Sequence, residues 1–372
     1  MRSIRADTAA GRRSIRFGSR ADVFDVPKSR NNFSSRELMS IGEEFETAIN
    51  AYPGRETLCG SIRISRNQQL LLERSFGYAS VQLGVVNQPS TRFHIASMTK
   101  MFIAAAAVRL ALDGTVSLGA HPSAYMPALS ALDRRITLHH LLSHTSGLAD
   151  IYGNPNLRLD MVGLAMRGGS LLDYLVALPQ EFSPGTKWSY STTGFLLLAY
   201  LLEQVTGTPF DRLIGEMFLV PLEMRDTGPD DPSRANPGRA LGQIAKDGAW
   251  FNAPNDRLAE IDGPREFYST VADLDRWGIA LLDGKVLNDA ARALTFSPHA
   301  RVGPGSEFDP SLSYGYGWFL GDRFRFIGGM TGGFRSAMWQ YPDERLNVIM
   351  LWNNERIDSQ RLFRKLRPIL LA

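Results

Sequence analysis

The chain is predicted to adopt an α+β fold, with one antiparallel sheet assembled from both chain ends, flanked by helices, and a mostly helical domain inserted between them. Three observations lead there. Strand-like runs at 57–65 and 69–76 follow an N-terminal helical segment, and strand-like runs return only after residue 314. The stretch 115–225 between them carries helical spacing with Pro- and Gly-rich joints. No internal repeat interrupts this order.

The elements follow in chain order. Residues 1–35 are polar and irregular and read as a flexible tail. Six of the first 20 residues are Arg, against a single acid, Asp7. The rest of this +3 chain holds 35 basic and 37 acidic residues, so its body is not a basic nucleic-acid binder. The tail lacks the apolar stretch of a secretory signal, and a cytoplasmic location is expected. Cys59 is the single cysteine, which excludes an intramolecular disulfide.

Residues 36–51 place Leu38, Ile41, Phe45 and Ile49 at helical spacing. A hairpin follows, turning at Arg66-Asn67-Gln68. The Ala-rich run 97–113 reads as a helix stopped by Gly114. Further helices are expected at 138–142, 171–177, 193–205 and 210–218. Residues 226–265, rich in Pro, Gly, Asp and Asn, read as a long surface loop. A helix at 270–283 and strands at 316–320, 324–327, 336–341 and 346–352 precede a closing helix at 359–371. The predicted sheet domain is 36–114 with 266–372, and the helical domain is 115–265. The longest apolar runs, 101–108 and 195–202, fall far short of the ~20 residues of a membrane span.

Three motifs carry chemistry. Ser97-Met98-Thr99-Lys100 opens the Ala-rich helix, and a spacing of three puts both side chains on one face. A Ser hydroxyl needs a base beside it to act as a nucleophile, and a Lys among apolar neighbours can be one. A helix N-terminus favours the developing oxyanion. Taken alone, the pair also fits a Ser N-cap with an exposed Lys. Tyr190-Ser191-Thr192 precedes the apolar run 194–202, and a Tyr near a Lys ammonium can relay protons. Alone, it also fits a helix cap. Gly328-Gly329-Met330-Thr331-Gly332-Gly333 lies between strand-like runs, where glycines mark close backbone approach or a tight hairpin. The six His have no ligand spacing, and neither a metal nor a cofactor is expected.

In this order the motifs and their flanks resemble the serine β-lactamase-like family. That family includes class C β-lactamases, penicillin-binding proteins, D-aminopeptidases, and β-lactamase-fold esterases and acyltransferases. The flanks are Phe93-His94-Ile95-Ala96, the HTSGL run at 144–148, FSPGTKWSYST at 182–192, VPLEMRDT at 220–227, YGYGWFL at 314–320 and TGGFRS at 331–336. The resemblance covers about residues 40–365. It implies that Ser97 is the acylated nucleophile, Lys100 its base and Tyr190 the proton shuttle. The backbone N–H groups of Ser97 and Met330 become the implied oxyanion hole, and His144 is implied to be structural.

Three departures from the family pattern shape the expected substrate. Ile327 heads the third motif, Ile327-Gly328-Gly329, where a cationic, imidazole or aromatic residue is usual, and Ile cannot hold a carboxylate. A neutral group is therefore expected there, unless Arg335 or Arg265 reaches in. Thr192 stands where Asn is commonest; it can accept from Lys100 but lacks an amide donor. Arg265-Glu266 replaces a Gly-Gly pair ahead of Phe267-Tyr268-Ser269-Thr270. The expected partner is a small-molecule acyl donor, with Trp188 and Tyr268 among the pocket residues and a small-molecule acyl acceptor as an option. Ester hydrolysis leads. Transfer of the acyl group to an alcohol or amine follows, then D-amino-acid amide or peptide hydrolysis, then weak β-lactam hydrolysis. A non-catalytic binding protein that keeps the fold is the reading of another class.

Overall fold

The computed structural model describes residues 34–371 apart from 154–169, 232, 254–262, 304–305 and 307. The expected N-terminal tail lies outside the described residues up to position 33, and helix α1 runs Ser35–Asn50. Among the described residues the other α-helices are α2 (Thr99–Leu112), α3 (Leu138–Leu142), α4 (Leu171–Val176), α5 (Thr192–Thr206), α6 (Phe210–Ile214), α7 (Val271–Leu282), α8 (Asp289–Thr295) and α9 (Ser359–Leu371).

Eight strands form the main sheet. They are β1 (Gly60–Arg66), β2 (Gln69–Phe76), β3 (Ala300–Arg301), β4 (Ser313–Tyr314), β5 (Phe319–Leu320), β6 (Arg325–Thr331), β7 (Phe334–Tyr341) and β8 (Leu346–Trp352). Their order across the sheet is β3-β4-β5-β6-β7-β8-β1-β2, with every neighbouring pair antiparallel. β1 zips onto β8 with Gly60 opposite Trp352 and Ile64 opposite Val348, so the two chain ends do build one sheet. The β1–β2 turn is Asn67-Gln68 with φ of 51° and 66°, the left-handed pair that a two-residue hairpin turn needs.

β7 and β8 are buried on both faces, which is why their sequences show no polar alternation. On one face Ile62, Trp339, Val348 and Trp352 pack against Phe45 and Ile49 of α1 and Leu362, Phe363 and Leu366 of α9. On the other face Met338 and Ile349 join a core that runs through Phe102 of α2, Trp277 of α7 and Leu198 of α5. α7 comes close to the sheet through Gly278, where a Cβ would stand 2.5 Å from Met338 Cε.

Two expectations are corrected. The helix expected at 210–218 stops at Ile214 and widens into a π-turn, in which Val220 N–H bonds Gly215 O at 2.9 Å. The loop expected at 226–265 carries structure among its described residues. Gly228–Pro229 pairs with Phe267–Ser269, and Gln243–Lys246 forms a hairpin with Ala249–Asn252. Asn353, fully buried, fastens this segment by donating to the carbonyls of Tyr78, Ala79 and Leu241 at 3.0–3.1 Å. A turn-rich composition reports the bends of such a hairpin but not the long-range bonds that anchor it.

Two histidines meet at Tyr316, and a third, His140, lies 5.4 Å from His139. His139 Nδ1 and Tyr316 Oη are 2.7 Å apart, and the His299 ring stacks on Tyr316 at 3.9 Å. Burial, with the charges of His299 and His140, pushes His139 down to about 4. A folded value below the unfolded ~6.5 means that acid is taken up mainly by the unfolded chain. Stability is therefore full above pH ~6.5 and falls as pH drops toward 4, by on the order of 1–3 kcal/mol. The melting temperature should fall between pH 7 and 4.5, and fall less in His139→Phe. Equal slopes would place the acid sensitivity elsewhere.

Candidate active site

Ser97 sits where a short strand gives way to a long helix. Phe93–His94 pairs with Phe267–Ser269, Ala96–Met98 makes one 3-10 turn, and α2 follows. Ala96 holds φ at +48°, which costs a residue with a Cβ about 1–2 kcal/mol. The surrounding bonds hold it there. His94 Nδ1 accepts from Ala96 N–H at 3.0 Å, Ile95 N–H donates to Phe267 O at 2.9 Å, and Ser336 Oγ donates to Ile95 O at 2.7 Å. Thr99 Oγ1 accepts from Phe267 N–H at 3.0 Å.

Lys100 lies one turn on, 2% exposed, and its Nζ donates to Ser97 Oγ at 2.9 Å. Its Nζ stands 5.1 Å from the Tyr190 ring centroid and 5.9 Å from that of Phe195. The three residues expected to do the chemistry are thus neighbours. α2 is buried along nearly its whole length, so its Ala run lets it serve as the central helix against which the others pack.

His144 fixes Tyr190. Its carbonyl accepts from Ser189 N–H at 2.9 Å, and its Nδ1 accepts from Ser191 N–H at 3.1 Å. The Nε2 proton therefore goes to Tyr314 Oη, 3.0 Å away. Burial, then the charge of Lys100, holds His144 well below the usual histidine range, so the ring is neutral. Burial, then Tyr190, pushes the Tyr314 phenol well above its ordinary value, so it stays protonated. The aromatic rings of Trp188, Tyr190, Phe308, Tyr314 and Phe319 cluster here, with Tyr190 and Phe308 centroids 5.3 Å apart.

Strand β6 crosses directly beside the nucleophile. A Cβ on Gly329 would stand 2.4 Å from Ile95 O, 2.7 Å from Ser97 N and 2.8 Å from Ser336 Oγ. Only glycine allows this approach. Side chains alternate along a strand and cross-strand partners share a face. Gly329 and its partner Ser336 therefore face the nucleophile turn, as do Thr331 and its partner Phe334. Met330 and its partner Arg335 face the other way. On the nucleophile's face lies a cleft of about 330 Å³ lined by Thr331, Phe334, His94, Arg239, Gln82 and Asn252, among others.

The remaining expected site residues are placed as follows. Ile327 is 4% exposed and packs in the main core. Arg335 does not stand in for the missing cation beside Ser97; its Nη2 donates to the Sδ of the exposed Met330 at 2.9 Å on the opposite face. Arg265 sits 3.6 Å from Asp231, and it lines with Tyr268, Arg92 and Asn236 a separate cleft of about 500 Å³. Thr192 is buried with its N–H on Asp150 Oδ1 at 2.9 Å, while the Lys100 hydrogen bond goes to Ser97. Trp188 is half-buried in the aromatic cluster, apart from Tyr268. Gly328 lies on β6 with its partner Ala337.

Sequence reasoning missed Tyr314, Phe308 and Arg239. Tyr314 stood in a quoted motif with no role, because its contact with His144 spans 170 positions. Arg239 grips buried Asp230 through two bonds of 2.6 Å, in a segment read as loop.

A family model described as Beta-lactamase matches residues 45–367. Penicillin-binding protein 4* of Bacillus subtilis (strain 168) is 28% identical over 333 residues, covering 84% of this chain and 72% of that protein. Among solved structures, EstCE1, described as a hydrolase with promiscuous acyltransferase activity, has a TM-score of 0.77 at 20% identity, over 91% of this chain and 100% of that one. D-amino acid amidase from Ochrobactrum anthropi SV3 has a TM-score of 0.71 at 20% identity, over 89% of this chain and 99% of that one. These two likenesses establish a shared fold.

Proposed function

Because the chain belongs to the beta-lactamase family of serine hydrolases and acyltransferases, we propose that it hydrolyses a neutral ester through an acyl-enzyme on Ser97. The observation that carries this reading is the 2.9 Å contact of Lys100 Nζ with Ser97 Oγ, at the head of a buried helix. In the reaction Lys100, in its neutral form, accepts the Ser97 proton as Oγ attacks the ester carbonyl carbon. The backbone N–H groups of Ser97 and Met330 receive the oxyanion. Tyr190 passes a proton to the departing alkoxide and takes its replacement from Lys100. Water then attacks the acyl carbon, its proton passes through Tyr190 and Lys100 to Ser97 Oγ as that oxygen departs, and the acid leaves.

Two features favour a neutral substrate. Ile327 offers no charge, and Arg335 and Arg265 are both directed elsewhere. The rings around Tyr190 favour an apolar acyl or alcohol group. That same apolar surround supports a second reading, transfer to an alcohol or amine, since excluding water from the acyl-enzyme is what separates a transacylase from an esterase.

Release of p-nitrophenol from p-nitrophenyl butyrate tests both. Steady turnover lost in Ser97→Ala supports the esterase. A stoichiometric burst that stalls, and restarts with an added alcohol or amine, supports transfer. No Ser97-dependent release contradicts both. Tyr190→Phe should slow acylation by about 10²-fold or more, the usual scale for general acid–base help. Wild-type rates in that variant would remove Tyr190 from the proton path.

A further inference from the structure

We propose that His94 is a positioning residue for the nucleophile: its Nδ1 pins the left-handed Ala96 turn that aims Ser97. The proposal rests on the reading of Ser97 as nucleophile.

His94 is the last residue of the strand leading into the turn. Ala96 N–H donates to its Nδ1 at 3.0 Å. A side chain accepting from the N–H two residues on is the geometry of an Asx turn, built here with an imidazole. With Nδ1 as acceptor, the neutral ring carries its proton on Nε2. That nitrogen faces two carboxylates, Asp230 Oδ2 at 3.6 Å and Glu266 Oε2 at 3.8 Å. These separations are too long for direct hydrogen bonds but orient the ring electrostatically. Asp230 is itself buried and clamped by Arg239, and the Phe334 ring packs 6.0 Å from the imidazole. The surroundings thus favour the tautomer that leaves Nδ1 free to accept.

The acceptor matters because Ala96 is a strained residue. It holds φ at +48° without being glycine. Removing the acceptor frees the 95–96 peptide to rotate toward the ordinary right-handed region. Ser97 N–H and Oγ then shift against Lys100 and against β6, which passes too close to follow. The His94 Nδ1 hydrogen bond goes to Ala96 N–H and the Lys100 hydrogen bond to Ser97 Oγ, so His94 reaches the nucleophile through the backbone of the turn.

The test compares His94→Asn with His94→Leu and His94→Ala. Asn places its Oδ1 where the imidazole Nδ1 stands and forms the ordinary Asx turn; Leu and Ala cannot accept. On p-nitrophenyl butyrate, Leu and Ala should lower kcat by about 10-fold or more with KM within about 2-fold, and Asn should stay within about 3-fold of wild type in both. In crystals of the variants, Ala96 should remain left-handed with Asn and relax with Leu or Ala. Wild-type kcat in the folded Leu and Ala variants overturns the proposal, and so does an Asn variant as slow as they are. If the wild type shows no Ser97-dependent turnover, the esterase reading fails and the crystals alone decide: Ala96 still left-handed in the Leu or Ala variant overturns the role of His94.

Discussion

Lys100→Met is expected to abolish acylation of Ser97 while leaving the fold at least as stable. Lys100 is 2% exposed, among the Tyr190 and Phe195 rings, and its hydrogen bond goes to Ser97 Oγ. Among the described residues the hydrogen bond to Ser97 Oγ comes from Lys100, and His144 is engaged elsewhere, its Nδ1 by Ser191 N–H and its Nε2 by Tyr314. The loss should reach about 10³-fold or more, toward the upper end of what general-base help supplies. Met has nearly the same length and no polar head to bury, so the cost of desolvating the amino group disappears. The melting temperature should hold or rise. A Lys100→Met protein that melts normally and still acylates at the wild-type rate would remove Lys100 from the mechanism. A protein that is inactive because it is unfolded would contradict the packing argument instead.

Gly329→Ala carries the second large effect. The added Cβ meets two backbone atoms, Ile95 O at 2.4 Å and Ser97 N at 2.7 Å, and neither can rotate away as a side chain would. Either β6 lifts off the turn or the turn sinks, and in both cases the spacing of the proposed oxyanion donors, the Ser97 and Met330 N–H groups, changes. The Ser336 Oγ bond to Ile95 O, 2.7 Å long, is strained as well. Loss of one oxyanion donor costs about 10²–10³ in rate, and overpacking costs about 1–3 kcal/mol of stability. The expected result is a folded protein with kcat reduced at least 10²-fold. Gly215→Ala, where the added Cβ would meet nothing within 4 Å, is the control and should change neither. Equal activity in the two variants would show that β6 does not line the reacting centre.

Much of this was legible in the sequence, for physical reasons. The helices at 138–142 and 193–205 and the turn at 66–68 follow from local periodicity and turn chemistry. The closure of β1 on β8 followed from the placing of strand-like runs at both ends. Ser97, Lys100 and Tyr190 were legible because two of them share one helical turn and the third sits in a recognisable motif. What was not legible depends on alternation and long-range packing. Arg335 lies one residue from Ser336, and that single step sends its side chain to the far face of the sheet. Arg265 and Tyr268 are close in sequence to Phe267, which touches Thr99, yet they line a different cleft. His94 read as a flanking residue because its role is a bond to the backbone two positions on, combined with carboxylates 136 and 172 positions away.

The proposed reaction runs through a covalent acyl-enzyme on Ser97. The direct measurement mixes the protein with p-nitrophenyl butyrate, quenches in acid within seconds, and maps the adduct by peptide mass spectrometry, with Ser97→Ala alongside. One butyryl group on the Ser97 peptide, absent in the variant, is the predicted result. Ester turnover with Ser97 unmodified, or an equal adduct elsewhere in Ser97→Ala, would contradict it.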